Sequence, residues 1–554
     1  MSTTSNSDNE DRNGNDMIRF HRKQETQLLR AIRKNNIEKV TTLLANGVSP
    51  DGLSERPPLK LAVQLGRIEI MKLLFQHNVR SPALLGPYEG DDDELLTAAY
   101  KGNVKVLKML IEYRNQRGYR GHAASYGGDD PIHCAAAGGH VECVQLLVEN
   151  GANIDAENGS WMTPLHCAAG QVNGVAMVRF LVASGADVNA LTEMGETAIF
   201  IAASKGNVAV VKELLRSSPD LSLRDHYGET VLHVAAYYSP LQTVQMLVEA
   251  GADIHTRSTN KASASGPHQM LVEAQPEAFV RPEEKKISLL HLAAEAGRID
   301  TFIWVLENST LTLNDVDAHN CTPLHYATRS NRSEMVRFLL EHGANISASI
   351  PGNHTPLHLA AAYHYPEWPL PTDNGQDDPN IVSQLIHAGA NISAPADARV
   401  LHFRWPYRED LREDLCNISA EDSGRSGIVH PLHCAVHSGA IQKVKVILAA
   451  GADIHARTTE GKTALHLAAG KFFRNMIRLL KQNGADPGLT DNGGYTMVRD
   501  LALAGRCEPG SAREFLLAEN LYEPSMEVEL DVPDDSPVWF NDDDWDESCV
   551  RNIR

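Results

Sequence analysis

Three histidine–cysteine neighbours, His133-Cys134, His166-Cys167 and His433-Cys434, have the residue types of a thiolate with its general base or of a soft metal site. Gly461-Lys462-Thr463 has the ending of a loop that cradles phosphate. Spacing decides each case. The loop motif requires a glycine five positions before Gly461, and Ala456 stands there instead. The histidines belong to a longer series: His133, His166, His233, His291, His325, His358, His433 and His466. They sit in segments such as TPLHCAAG (163–170), TPLHYATR (322–329) and TPLHLAAA (355–362), which start 33 or 34 residues apart where nothing intervenes. A catalytic pair has no reason to recur at a fixed period, whereas a structural unit does.

Distance supports the same reading. Packed helices lie ~8–10 Å apart, zinc needs its donors at ~2.0–2.3 Å, and a disulfide needs Cα atoms within ~7 Å. Equivalent residues of neighbouring units therefore cannot share a metal, and Cys134 cannot bridge to Cys167. His166 and Cys167 also point ~100° apart around a helix. No HExxH, GxSxG, paired CxxC or kinase signature occurs. The expectation is no catalytic residue, no metal site and no cofactor, and hence no enzyme.

The elements that carry the series are short. In 163–195, Thr163 suits a helix N-cap and Pro164 the first helical position. Leu165, Ala168 and Ala169 give that helix a packing side of small residues. A second helix follows, with Val175, Val178, Leu181 and Val182 at helical spacing. Gly185 closes it in the left-handed conformation, and the connector ADVNALTEMGE leads to the next Thr. With its TPLH-like starts, paired helices and GAD or GAN endings, this pattern strongly resembles the ankyrin repeat family.

The resemblance covers about residues 24–522. It implies an all-α solenoid of paired antiparallel helices with hairpin or loop connectors. It also implies a histidine that ties the Thr end of its own helix to nearby backbone. The signature residues are Thr163, Pro164, His166, Thr322, Pro323, His325, Thr355, Pro356, His358, His433 and His466. Residues 27–34, 58–65 and 94–101 lack the histidine, Phe200 replaces it in TAIFIAAS, and Arg499 replaces it after Thr496. Such departures are expected at array ends, where a cap faces water.

The remaining segments divide the chain. Residues 1–23 read as a disordered polar terminus, 24–128 as divergent repeats and 129–256 as regular ones. Then come an insertion loop at 257–286, repeats at 287–395 with an internal insertion at 363–379, and an insertion at 396–429. C-terminal repeats and a cap occupy 430–522, and 523–554 form an acidic, aromatic tail. Aromatic residues sit beside arginine in the 396–429 insertion, at Phe403, Arg404, Trp405, Tyr407 and Arg408, a pairing that interface hot spots favour. Folding back onto the array is the alternative. Trp539, Phe540 and Trp545 stand in a tail with eleven Asp/Glu and two Arg, which suits a docking motif, an autoinhibitory strap or an inert solvating end.

Hydrophobic residues make up 42% of the chain and aromatics 6%, which suits thin layers of small side chains. The net charge of −20 disfavours binding to nucleic acid. MSTTSNSDNEDRNGND has neither the basic nor the apolar part of a secretion signal, and no apolar run reaches ~18 residues. The expectation is a monomeric array in the cytoplasm or nucleus, not inserted in a membrane. It would bind protein partners through its concave face and connector tips, as a scaffold or adaptor. The alternative is a regulator of transcription or protein turnover, in which the array selects the client and the tail recruits machinery.

Overall fold

The computed structural model describes residues 22–51, 57–79, 94–117, 129–259, 286–362, 379–397, 428–504 and 515–517. They fall into two compact units, the first reaching Ile254 and the second starting at His255.

The first unit opens with a helix over 22–33, followed by α1 (Ile37–Ala45). Helix pairs then repeat: α2 (Pro58–Gln64) with α3 (Ile68–Gln76), and α4 (Glu94–Tyr100) with α5 (Val104–Gln116). They continue with α6 (Pro131–Ala137) and α7 (Val141–Glu149), and with α8 (Pro164–Ala169) and α9 (Val175–Ala183). The last two pairs are α10 (Ala198–Ser204) with α11 (Val208–Leu215), and α12 (Val231–Tyr238) with α13 (Leu241–Glu249).

The second unit repeats the pattern. It holds α14 (Leu289–Ala296) with α15 (Ile299–Asn308), α16 (Pro323–Arg329) with α17 (Ser333–Glu341), and α18 (Pro356–Ala362) with α19 (Asn380–His387). Two short strands, β1 (Ala396–Asp397) and β2 (Ile428–Val429), pair antiparallel. Then come α20 (Pro431–His437) with α21 (Ile441–Ala449), α22 (Ala464–Gly470) with α23 (Arg474–Gln482), and α24 (Met497–Ala504).

The first helices are too short to be stable alone. Layering stabilises them: Ala168 and Ala169, like Ala202, Ala203, Ala235 and Ala236, are fully buried and let successive first helices approach closely. The second helices bury a stripe at i, i+1 and i+4: Cys143, Val144 and Leu147, then Met177, Val178 and Leu181, then Val210, Val211 and Leu214. Val175 and Val182, which helical spacing placed in that stripe, are only half-buried, and Met177 takes the inner position. Full burial of Leu181 is worth ~1.5–3 kcal/mol over exposure.

After α9, Gly185 has φ +93° and nothing within 4 Å of where a Cβ would stand. Backbone conformation alone therefore requires glycine there. The ends of two inserted segments are tied by pairing. The Ser258 N–H donates to the Ile287 carbonyl (3.0 Å) and the Lys286 N–H to that of Ser258 (3.2 Å). Further along, β1 and β2 join residues 396–397 to 428–429.

Candidate interaction surface

Each histidine of the series is buried, and both ring nitrogens are in use where the repeat is regular. In α8, Nδ1 of His166 accepts the Thr163 N–H (3.0 Å) and faces the Thr163 hydroxyl (2.9 Å), a reciprocal capping box. Nε2 donates forward into the next connector, to the carbonyls of Ala190 (3.1 Å) and Glu196 (3.2 Å). His133 reaches the Ala156 and Met162 carbonyls, His291 that of Cys321, His358 that of Ala394, His433 that of Ala456 and His466 that of Tyr495. Each histidine thus joins a helix start to the following hairpin. At His325 the carbonyls of Ala348 and His354 lie toward Nε2 without closing a hydrogen bond.

This arrangement requires neutral imidazole. Burial lowers the pKa of His166, His291 and His466, and brings those of His325, His358 and His433 down from 6.5 to about 4. The neighbouring thiols move the other way: burial pushes Cys167 and Cys434 up to about 12. A neutral base with both nitrogens occupied beside a protonated thiol is a strut, not a nucleophilic pair. No group of three or more His, Cys, Asp or Glu side chains among the described residues could hold a metal ion. Lys462 of the GKT sequence turns to the last repeat and pairs with Asp500 at 3.0 Å.

Phe200 shows what the strut does by omission. It fills the histidine position, and the Thr197 hydroxyl is left buried without a hydrogen-bond partner. A second departure lies in the second unit. There Asp317 accepts the His319 and Cys321 N–H groups (both 2.8 Å) and the Tyr326 hydroxyl (2.9 Å). Tyr326 in turn lies under the Arg329 guanidinium, which is ion-paired with Glu295. These side chains tie two successive repeats together.

With helix starts fixed this way, the connectors become rigid hairpins. Asn158 Oδ1 accepts the N–H groups of Ser160 (3.0 Å) and Met162 (2.9 Å), and Asp225 Oδ1 those of Tyr227 and Glu229 (both 2.9 Å). The tips are then laced to one another. Glu193 N–H donates to the Ser160 carbonyl (3.0 Å), His226 N–H to that of Met194 (2.9 Å), and Asn492 N–H to that of Glu460 (2.9 Å). A second row of rungs lies behind them: Asp187 N–H to Asp155 Oδ1 (3.0 Å) and Asp220 N–H to Asn189 Oδ1 (2.9 Å).

Two residues before most capping residues the backbone is left-handed, at Gly195, Gly228, Gly461 and Gly494, at Asn320 and Asn353, and at Lys286. Trp161 occupies that position in its repeat with φ +58°. Glycine and asparagine tolerate this conformation, but a bulky side chain is strained in it. The next connector after that of Trp161 carries Leu191 (43% exposed) and Met194 (39% exposed), and the one after it half-buried Tyr227. Spacing from Gly195 and Gly228 could have found Trp161 in the sequence; Phe403, Arg404, Trp405, Tyr407, Arg408, Trp539, Phe540 and Trp545 lie outside the described residues.

Sequence comparison agrees with this geometry. Matches to the family described as Ankyrin repeats (3 copies) span residues 95–192, 165–258, 262–350, 290–396 and 418–520. The chain belongs to the ankyrin repeat family. Among curated relatives, it is 26% identical over 438 residues to human transient receptor potential cation channel subfamily A member 1, covering 74% of this chain and 38% of the channel. It is 29% identical to the mouse B-cell lymphoma 3 protein homolog, covering 38% of this chain and 46% of that protein. It is 31% identical to the chicken nuclear factor NF-kappa-B p105 subunit, covering 42% of this chain and 24% of that protein. The chain thus spans less than half the length of these relatives. Ankyrin repeats are protein-interaction modules, and no helix among the described residues is long and apolar enough to cross a membrane.

Proposed function

We propose that this chain is a non-enzymatic scaffold or adaptor that binds a partner protein along its connector tips and adjoining first helices. The observation that carries this reading is the laced row of hairpins. Their backbones are fixed by the Thr–His struts and by tip-to-tip hydrogen bonds, so the side chains at the tips vary without disturbing the array. Trp161, Leu191, Met194 and Tyr227 form the aromatic and aliphatic centre of that row, and such anchors dominate interface energetics. A strained backbone at Trp161 fits a residue kept for contact and not for stability. Phe403, Arg404, Trp405, Tyr407 and Arg408 extend this surface in the proposal.

The test is quantitative affinity capture with the full chain, comparing wild type with W161S/M194S/Y227S and with W405A/Y407A. Partner capture should fall in both variants while thermal unfolding still shows a folded array. Undiminished capture by the tip variant would remove the tips from the proposal; undiminished capture by W405A/Y407A would remove the insertion.

A second reading is a regulator of transcription or protein turnover. The likeness to a protein named as a nuclear factor subunit favours it. In this version Trp539, Phe540 and Trp545 recruit machinery, so ending the chain at Glu523 abolishes output and leaves client capture intact. Loss of capture with the tail would contradict that division of labour. Both readings place the protein in cytoplasm or nucleus as a monomer without bound nucleic acid, which imaging of a fluorescent fusion and light scattering of purified protein test.

A further inference from the structure

The helix-to-helix turns, at the opposite end of each antiparallel pair from the connector, form a second surface in the first unit. These turns are also laced. Arg67 Nη2 donates to the Arg33 carbonyl (3.5 Å), Lys101 Nζ to that of Gln64 (2.8 Å) and Asn207 Nδ2 to that of Gln171 (2.7 Å). His140 Nε2 likewise meets the Tyr100 carbonyl at 3.0 Å. Their sequences, RKNNI, QLGRI, YKGNV, AGGHV, GQVNG, SKGNV and YSPL, contain no Asp or Glu. Arg33, Lys34, Arg67 and Lys101 form no ion pair among the described residues.

The first three repeats follow suit. Residues 22–117 hold sixteen Lys/Arg against eleven Asp/Glu, in a chain whose net charge is −20. The connectors from Asp129 to Thr230 have the opposite sign, with Asp129, Asp155, Glu157, Asp187, Glu193 and Glu229 among their acids and Arg216 and Arg224 as their Lys or Arg residues.

The same turns hold exposed apolar side chains: Ile37 (41%), Leu65 (41%), Tyr100 (65%) and Val172 (86%). They stand singly, about one to a repeat, with the cations concentrated between the first three. Repeats stack ~8–10 Å apart, and a chain in the extended polyproline II conformation advances ~3.1 Å per residue with about three residues per turn, so that every third side chain faces the same way. An extended segment with an apolar side chain at every third position therefore keeps step with the turns.

We propose that the turn edge of the first unit is a docking surface for an acidic, extended segment of a partner protein, seated between Lys34, Arg67 and Lys101 with its apolar side chains on Leu65 and Tyr100. Charge complementarity argues for this occupant, and the acidic connectors turn the same segment away from the tips. A lipid surface fits less well, because membrane-bound elements bury a contiguous apolar face, and here each apolar side chain is isolated among polar ones.

The experiment uses the full chain and fluorescein-labelled (Glu-Glu-Leu)5, read by fluorescence anisotropy. Binding is expected at low salt, weaker as salt rises. K34E/K101E, at two exposed positions, should weaken binding about tenfold or more. L65S/Y100S should weaken it severalfold, and K212E on α11 should leave it unchanged. Circular dichroism verifies that each variant is folded, and K34M/K101M serves if the charge reversal is not. Three results would overturn the proposal: no binding to wild type, equal binding to the charge-reversed protein, or anionic phosphatidylserine vesicles that displace the peptide and sediment with wild type but not with K34E/K101E. The last would assign the edge to lipid.

Discussion

One substitution made at two equivalent positions should have opposite signs. Thr322 and Thr197 are both buried residues at the start of a first helix, 3% and 1% exposed. The Thr322 hydroxyl meets Nδ1 of His325 at 2.9 Å and completes a capping box. Replacing it by valine keeps the shape and removes that contact, at a cost of ~1–2 kcal/mol. The Thr197 hydroxyl has no partner, because Phe200 stands where the histidine would be. A buried hydroxyl without a hydrogen bond costs ~1–3 kcal/mol in desolvation, so Thr197→Val should stabilise by about 1 kcal/mol. Urea unfolding gives the two signs. Hydrogen exchange locates them, with faster exchange around α16 in T322V and slower exchange around α10 in T197V. If T197V destabilises as much as T322V does, the hydroxyl at 197 has a use in the fold and the account of the strut is wrong.

Three further predictions concern the struts, the GKT lysine and the tip. His325, His358 and His433 stay neutral in the fold down to about pH 4, while the unfolded chain takes up protons below ~6.5. Stability is therefore whole above pH ~6.5 and is lost as the pH falls toward 4, by ~2 kcal/mol per histidine at pH 5; a urea midpoint of the second unit that does not move between pH 7.5 and 5 would contradict this. Lys462→Met removes the partner of half-buried Asp500, which should loosen α24 by about 2 kcal/mol in hydrogen exchange. Calorimetric titration with ATP should show no binding to either protein, and ATP binding that K462M abolishes would restore the phosphate-loop reading. Trp161→Gly removes a left-handed tryptophan and should raise stability by ~1 kcal/mol in thermal unfolding; a lower melting point would mean that the indole is needed for packing.

The repeat, its helix pairs and the structural use of the histidines were legible because one physical requirement recurs every 33 or 34 residues. Thr163 and His166 must meet across one helical turn, so their types and spacing are fixed together. The inner stripe of the second helix was less legible. Met177 and Val175 are both apolar and lie two residues apart, so hydrophobicity alone left the rotation of α9 open; contact with neighbouring helices decides for Met177. Trp161 is marked by its spacing from Gly195 and Gly228 alone, because tryptophan itself carries no sign of left-handed backbone. The pairing of Ser258 with Ile287, and of β1 with β2, joins residues far apart in the chain, which local pattern does not encode. The basic turn edge was concealed by averaging, since a net charge of −20 over the chain says nothing of the sign on one edge of three repeats.

The central claim is that partners are recognised at the tips of rigid, laced hairpins. Hydrogen-exchange footprinting of the full chain bound to a captured partner tests it most directly. The account predicts added protection over 157–163, 190–197 and 224–230, with the exposed faces of α9, α11 and α13 unchanged. Protection on those second helices, with the hairpins exchanging as in the free chain, would contradict it.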